Sequence, residues 1–411
     1  MTRVPYGVTI RPGERQVNIP YTLRPIPRRI GRSHIYAAHL WITMARTTTR
    51  LVVKIGTSSL TGGTPALQRP RMLELVQQIA RIHAHGIEII LVTSGAQAAG
   101  RERLGFPSLD RSVPAKQMLS AVGQSRLMHY YSQLFEIYEI VVAQILLTRD
   151  DLTNRTRYLN ARDTIVELIG RRIIPIINEN DTIATKEFRV GDNDNLAAMV
   201  ASSLEADLLV MLTDQPGLFT ADPRRDPNAH LLRDIERIDE SVYALAGGTA
   251  SRLGTGGMVT KIEAAHTATR AGVTTIVASG AEPDVLARLI SGEKIGTRFH
   301  PNEVDLQSRK RWLLTDKPHG SVCVDAGAKR VLVERKASLL PVGVTRAIGA
   351  FDRGETVTIV GPDGEKIAHG LSNYKAEDLR QLCGVKSHRI IEILGYSYGD
   401  TVIHRDNMVM L

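Results

Sequence analysis

At 411 residues, with 43% hydrophobic and 5% aromatic side chains, the chain has the length for two or three domains and the composition of a globular protein. No apolar run approaches the ~18 residues that a membrane helix needs. Cys323 and Cys383 lack the spacing of a zinc site or a disulfide framework and point to a reducing, cytoplasmic setting. A net charge of +9 raises nucleic acid as a partner, but residues 1–43, with seven arginines and the single acid Glu14, hold +6 of it.

In chain order, residues 1–47 come first as an extension broken by Pro5, Pro12, Pro20, Pro25 and Pro27. An Arg-rich, acid-poor stretch fits a transit peptide or a nucleic-acid-binding arm. The expectation favoured here is a mis-called start, with Met44 the true one, because Met44 stands a few residues ahead of the first strand. The case for nucleic acid weakens with it.

Residues 51–55 read as a strand that contains a lysine, Lys54, and runs into Gly56-Thr57-Ser58-Ser59. Burying an ammonium is costly unless an anion meets it, so Lys54 points either to an anionic ligand or to an edge strand from which its stem reaches water. Helical periodicity follows over 71–85, stopped by Gly86, then a strand at 87–92, a helix-rich stretch at 115–135 and a strand at 140–147. Helix 156–169, strand 173–177, helix 195–204, strand 208–212, helix 258–270 and strand 274–277 continue the alternation. The pattern predicts an α/β domain, a three-layer αβα sandwich with a largely parallel sheet. Ligands of such sheets gather beyond the carboxyl ends of the strands. Small polar loops stand there: Gly56 to Ser59, Thr93 to Ala96, Asn178 to Asp181 and Thr213 to Gly217. One such loop is ordinary turn chemistry; four on one edge suggest a site.

Two clusters sharpen the chemistry. Gly254-Thr-Gly-Gly-Met-Val-Thr-Lys261 is a glycine-rich turn opening a helix, where backbone N–H groups and Lys261 can face phosphate oxygens. Gly191-Asp-Asn-Asp-Asn195 precedes another helix with more polar groups than a cap requires. There is no Walker A sequence, no dinucleotide-binding Gly-x-Gly-x-x-Gly at the first helix and no His-x-x-x-His pair. Lysines and carboxylates together suggest phosphoryl transfer, which rests on positioning and charge neutralisation.

Seven stretches resemble, in order, the glutamate kinases of the amino acid kinase superfamily. They are Val52-Val-Lys-Ile-Gly-Thr-Ser58, Val92-Thr-Ser-Gly-Ala96, Ala121-Val-Gly-Gln-Ser-Arg126, Leu159-Asn-Ala-Arg-Asp-Thr164, Ile177-Asn-Glu-Asn-Asp181, Val190-Gly-Asp-Asn-Asp-Asn-Leu196 and Gly254-Thr-Gly-Gly-Met258. The resemblance implies phosphorylation of the γ-carboxylate of L-glutamate by ATP with Mg²⁺. It implies that Lys54 and Lys261 neutralise the moving phosphoryl group while Asp194 holds both lysines. Ser94, Asp181 and Asn193 would bind glutamate, with Asp192 nearby. Thr213 and Asp214, with Thr255, Gly256, Gly257, Met258, Val259, Thr260 and Lys261, would bind ATP, as would Lys54. No protein ligand is assigned to Mg²⁺. The family also implies feedback inhibition by proline and assembly into dimers or tetramers.

The kinase domain is expected over 48–301 and a polar linker over 302–320, after a turn-like exit at 299–302. Short strand patterns at 321–325, 330–334, 356–360 and 366–369, with a hairpin turn at 361–364, predict a small β-rich domain over 321–405. Its Ser338-Leu-Leu-Pro341, Gly349 to Glu355 and Ile367-Ala-His-Gly370 resemble the PUA domain, a module of RNA-modifying enzymes. With Phe351 and Tyr374 isolated and little basic excess left, RNA is not the expected partner, and a structural or regulatory role is. A sister kinase acting on acetylglutamate, aspartate, carbamate or UMP, and an RNA-binding protein with a degenerate kinase domain, are the competing expectations.

Overall fold

The computed structural model describes residues 48–110, 112–184, 193–246, 257–301, 317–335 and 337–411. The expectations for residues 1–47, Asp192, Thr255, Gly256 and 302–316 lie outside that set. The first half of the large unit comprises β1 (Arg50–Ile55), α1 (Thr57–Thr61), α2 (Arg69–Ala84), β2 (Glu88–Thr93), α3 (Ala96–Arg103), α4 (Val113–Glu136), β3 (Val142–Leu147), α5 (Arg149–Thr153) and α6 (Arg155–Gly170). Then come β4 (Ile174–Glu179), α7 (Asn193–Ser203), β5 (Leu208–Thr213), β6 (Asp234–Ile235), α8 (Glu240–Leu245), α9 (Met258–Arg270), β7 (Thr274–Ser279), α10 (Val285–Ile290) and β8 (Thr297–Phe299).

The strands form one sheet in the order β3-β4-β2-β1-β5-β7-β8-β6. Its pairs are parallel except β7 with β8. β1 lies at the centre, and residues 51–55 are buried throughout, as a strand covered on both faces must be. Side chains alternate along a strand. Leu51, Val53 and Ile55 therefore join the core that α2, α4 and α10 build on one face, and Val52 joins the core of α6, α7 and α9 on the other. Lys54 shares the parity of Val52, which places it on the α7 and α9 side. This is the predicted three-layer sandwich.

Two expectations needed correction here. Phe299, the first residue of the expected 299–302 exit, instead closes β8, which adds antiparallel to β7 and is too short to show a period. The 330–334 stretch is not a strand but lies in α11 (Ala326–Arg335). Val331, Leu332 and Val333 look like a strand in sequence, yet only Leu332 is buried, and Asp325 Oδ1 accepts the Ala328 N–H at 2.7 Å as a helix cap does.

Around α11 stand β9 (Gly320–Val324), β10 (Val344–Gly349), β11 (Thr356–Val360), β12 (Lys366–Leu371), α12 (Ala376–Leu382), α13 (Ile390–Leu394) and β13 (Met408–Met410). These strands form a second sheet, β10-β9-β11-β12-β13, over its own core of Val322, Val357, Ile359, Tyr374 and Leu379. It meets the large unit at α6. Arg353 lies under the Tyr398 ring, 3.8 Å from its centroid, and reaches Asn160 and Asp163, while Thr156 Oγ1 donates to the Arg353 carbonyl at 2.8 Å. Arg162 pairs with Asp406 at 3.3 Å. Burial pushes the Asp406 carboxyl up, but His404, Arg162 and Arg405 together hold it well below the usual range.

α3 and α4 touch backbone to backbone through two glycines. A Cβ on Gly123 would lie 1.7 Å from the Ala96 carbonyl oxygen, and one on Gly100 2.0 Å from that of Leu119. Gly123→Ala is expected to separate these helices and to destabilise the protein by about 1–3 kcal/mol. Chemical denaturation measures this, and an unchanged midpoint would contradict the packing.

Candidate active site

The carboxyl ends of β4, β2, β1 and β5 stand side by side, and backbone hydrogen bonds tie the segments that leave them. The Gly56 N–H donates to the Leu212 carbonyl at 3.2 Å, that of Ser94 to Ile55 at 3.1 Å, and that of Gly280 to Thr213 at 2.8 Å. Gly95, at φ 98°, turns the chain from β2 into α3, a conformation that favours glycine.

At the centre is a buried charge triad. Asp194 is fully buried, Lys54 3% exposed and Lys261 8% exposed. Lys54 Nζ lies 2.5 Å from Asp194 Oδ1, and Lys261 Nζ lies 3.0 Å from Asp194 Oδ2, which also accepts from Thr260 Oγ1 at 3.2 Å. The helices that bring these residues together have small residues on the facing sides. Ala197, Ala198 and Ala201 follow Asp194 at helical spacing, Ala264, Ala265 and Ala268 follow Lys261, and all six are fully buried. Close approach of α7 and α9 thus sets the carboxylate against both lysines. Two ammonium groups share one carboxylate, so the triad keeps a net positive charge that an anionic ligand can complement.

Ser94, Asn193 and Asp181 lie on one side of the triad, toward β2 and β4. Asn193 Nδ2 donates to Ser94 Oγ at 2.9 Å, to the Thr93 carbonyl at 3.0 Å and to Asn178 Oδ1 at 3.0 Å. Asp181 Oδ2 accepts from Ser120 Oγ at 2.8 Å, and Asn178 Nδ2 donates to Gln124 Oε1 at 2.8 Å. The expected site residues did not include Ser120, Gln124 or Asn178. Gln117, Ser120 and Gln124 recur at helical spacing in α4, and such a polar row reads as a solvated face until a partner is known.

Thr213 and Asp214 lie on the other side, where β5 ends, with Thr213 Oγ1 donating to Asp214 Oδ1 at 3.0 Å. Gly257, at φ 134°, precedes α9, and Met258 and Val259 are half-buried in its first turn. The Gly257 carbonyl accepts from Thr260 Oγ1 at 3.0 Å, with Lys261 Nζ 3.5 Å away. Thr255, Gly256 and Asp192 lie outside the described residues. Among the described residues, no three His, Cys, Asp or Glu side chains are grouped to hold a metal ion, and no helix is long and apolar enough to cross a membrane.

Residues 49–279 match the amino acid kinase family, and residues 320–394 match the PUA domain. A glutamate 5-kinase of Deinococcus radiodurans is 50% identical over 362 residues, 88% of this chain and all of that protein. One of Herpetosiphon aurantiacus is 54% identical over 361 residues, 88% of this chain and 98% of that protein. A carbamate kinase from Giardia lamblia bound to AMP-PNP aligns with 62% of this chain and 99% of its own, at 17% identity and a TM-score of 0.46.

Asp194→Asn would leave two buried ammonium groups without a counter-charge. It is expected to cost about 3–5 kcal/mol of folding stability, read from denaturation midpoints. Wild-type stability in that variant would show that the lysines do not depend on Asp194.

Proposed function

We infer that this chain, which belongs to the amino acid kinase family and within it to the glutamate 5-kinases, transfers the γ-phosphoryl group of ATP to the γ-carboxylate of L-glutamate, the first step of proline biosynthesis. The observation that carries the mechanism is the buried Lys54–Asp194–Lys261 triad at the strand ends. A carboxylate of pKa about 4.3 is already ionised near neutral pH, so no general base is required. One γ-carboxylate oxygen attacks the γ-phosphorus, the bond from that phosphorus to the β–γ bridging oxygen breaks, and ADP leaves with the electron pair. The barrier is repulsion between anions. Lys54 and Lys261 relieve it by standing where negative charge collects, and Asp194 keeps both in register. Mg²⁺ brought with ATP would add charge neutralisation, a role that phosphates and water can support with few protein ligands.

In this reading Ser94, Asp181, Asn193 and Asp192 hold glutamate, the Asp181 carboxylate being suited to its ammonium group. Thr213, Asp214 and residues 255–261 receive the nucleotide, with Gly257 and the first turn of α9 next to its phosphates. The division into a kinase domain over 48–301, a linker and a PUA domain over 321–405 is supported by two sheets with separate cores, although the second sheet runs from Gly320 to Met410. Proline feedback and assembly into dimers or tetramers extend the same proposal, on the strength of the glutamate kinase resemblance. The PUA domain is assigned a structural or regulatory role, supported by its contacts with α6. A sister kinase or a degenerate RNA-binding relative is disfavoured by the extent of identity to glutamate 5-kinases.

Formation of γ-glutamyl hydroxamate from glutamate, ATP and hydroxylamine tests the proposal. The wild type is expected to turn over glutamate and to leave aspartate and N-acetylglutamate untouched. Lys261→Met is expected to lower kcat about 10²–10³-fold, the scale of losing one charge-stabilising donor. Turnover of another acid in place of glutamate would replace the substrate, and wild-type kcat in the variant would remove the lysine's role.

A further inference from the structure

We propose that Gln124 is a positioning residue for the phosphoryl acceptor: acting through Asn178, it fixes the Asn193 amide so that Asn193 Oδ1 meets the substrate's ammonium group. The proposal rests on glutamate being that acceptor and adds to it residues that act through Asn193.

The neighbours of three amides fix which way each one points. The two ends of an Asn or Gln amide have nearly the same shape but opposite hydrogen-bonding character. The Thr93 carbonyl can only accept, so the end of Asn193 that lies 3.0 Å from it is the NH₂ group. The Glu179 backbone N–H can only donate, so the end of Asn178 that lies 3.0 Å from it is the oxygen. That same oxygen receives Asn193 Nδ2, and Asn178 Nδ2 is left facing Gln124 Oε1 at 2.8 Å. The result is a head-to-tail chain, Gln124 to Asn178 to Asn193, anchored at two places by backbone groups that cannot reverse.

Its two outer ends, Asn193 Oδ1 and Gln124 Nε2, are buried without a hydrogen-bond partner. A buried acceptor without a donor is unfavourable and is rarely left so without a reason. Asn193 immediately precedes Asp194 and bonds to Ser94, so its unpartnered oxygen belongs to the acceptor side of the triad, where a glutamate ammonium would supply the missing donor. Gln124 supports this from outside the site. It shares one face of α4 with Ser120, which holds Asp181, and with Gln117, whose Nε2 lies 3.4 Å from the Ala184 carbonyl. One helix face thus braces the segment from Asn178 to Ala184. Without Gln124, Asn178 Nδ2 loses its acceptor, and the amide that aligns Asn193 is held at its oxygen end alone, by the Glu179 N–H and Asn193 Nδ2.

Steady-state hydroxamate formation with glutamate and ATP varied separately tests this in the wild type, Gln124→Met and Gln124→Glu. Gln124→Met keeps the volume but removes the acceptor, and is expected to raise KM for glutamate about tenfold, with kcat and KM for ATP within about twofold of wild type. Gln124→Glu keeps an oxygen for Asn178 and trades the unpartnered NH₂ group for a second carboxyl oxygen, with the charge that brings, so it is expected to recover part of that loss. An unchanged KM for glutamate in Gln124→Met, a parallel rise in KM for ATP, or a Gln124→Glu variant as impaired as Gln124→Met would overturn the relay while leaving the glutamate kinase reading intact. A wild type without glutamate turnover would overturn that reading, and the relay with it.

Discussion

One carboxylate between two lysines is the constraint on which the kinase unit depends. Asp194 is fully buried, and the cost of burying it is offset only if Lys54 from β1 and Lys261 from α9 both reach it. The central strand, the helix after the β4 segment and the helix after the glycine-rich turn must therefore meet within a few ångströms. Alanines on α7 and α9 allow that approach, and the two-residue alternation of β1 turns Lys54 toward it. Because the triad holds two positive charges and one negative, it is suited to a site where a polyanion reacts with a second anion.

The two ends of that site are built differently. On the side proposed for the nucleotide the chain offers glycine, threonine and the first turn of a helix, groups suited to phosphate oxygens. On the side proposed for the acceptor it offers amides and a carboxylate whose orientations are set by α4 and by backbone groups of Thr93 and Glu179. Loose, charge-based recognition serves a donor that arrives with its own cation. Directional hydrogen bonding serves a small acceptor that must be told from other acids. The second sheet adds to this arrangement from a distance, since its Arg353 grips α6, which leads directly into β4.

Much of this was legible in the chain. Lys54 stood out as a lysine in an apolar strand, the alternation of short apolar runs and helical periods gave the sandwich, and the polar loops at four strand ends marked the edge beside which the buried triad stands. Pairing of Asp194 with Lys261 could not be read from spacing, because 67 positions separate them; it came from the family resemblance, and the structure shows the contact. Local pattern failed where tertiary packing decides. Val331 to Val333 form a short apolar run like a strand's but lie in a helix with Leu332 inward, and β6 and β8 are too short to carry a period. Gln124 and Ser120 were missed because polar residues at helical spacing usually face water, and only the folded chain shows that these face Asn178 and Asp181.

The most direct test of the account is the fate of the acceptor oxygen. Glutamate carrying ¹⁸O in its γ-carboxylate would be incubated with ATP, Mg²⁺ and the protein, and the acyl phosphate trapped with hydroxylamine, which attacks the acyl carbon and releases inorganic phosphate. If the γ-carboxylate is the nucleophile that the lysine pair brings to the γ-phosphate, the released phosphate carries one ¹⁸O atom. Unlabelled phosphate would mean that water had attacked instead and would contradict the account at its centre.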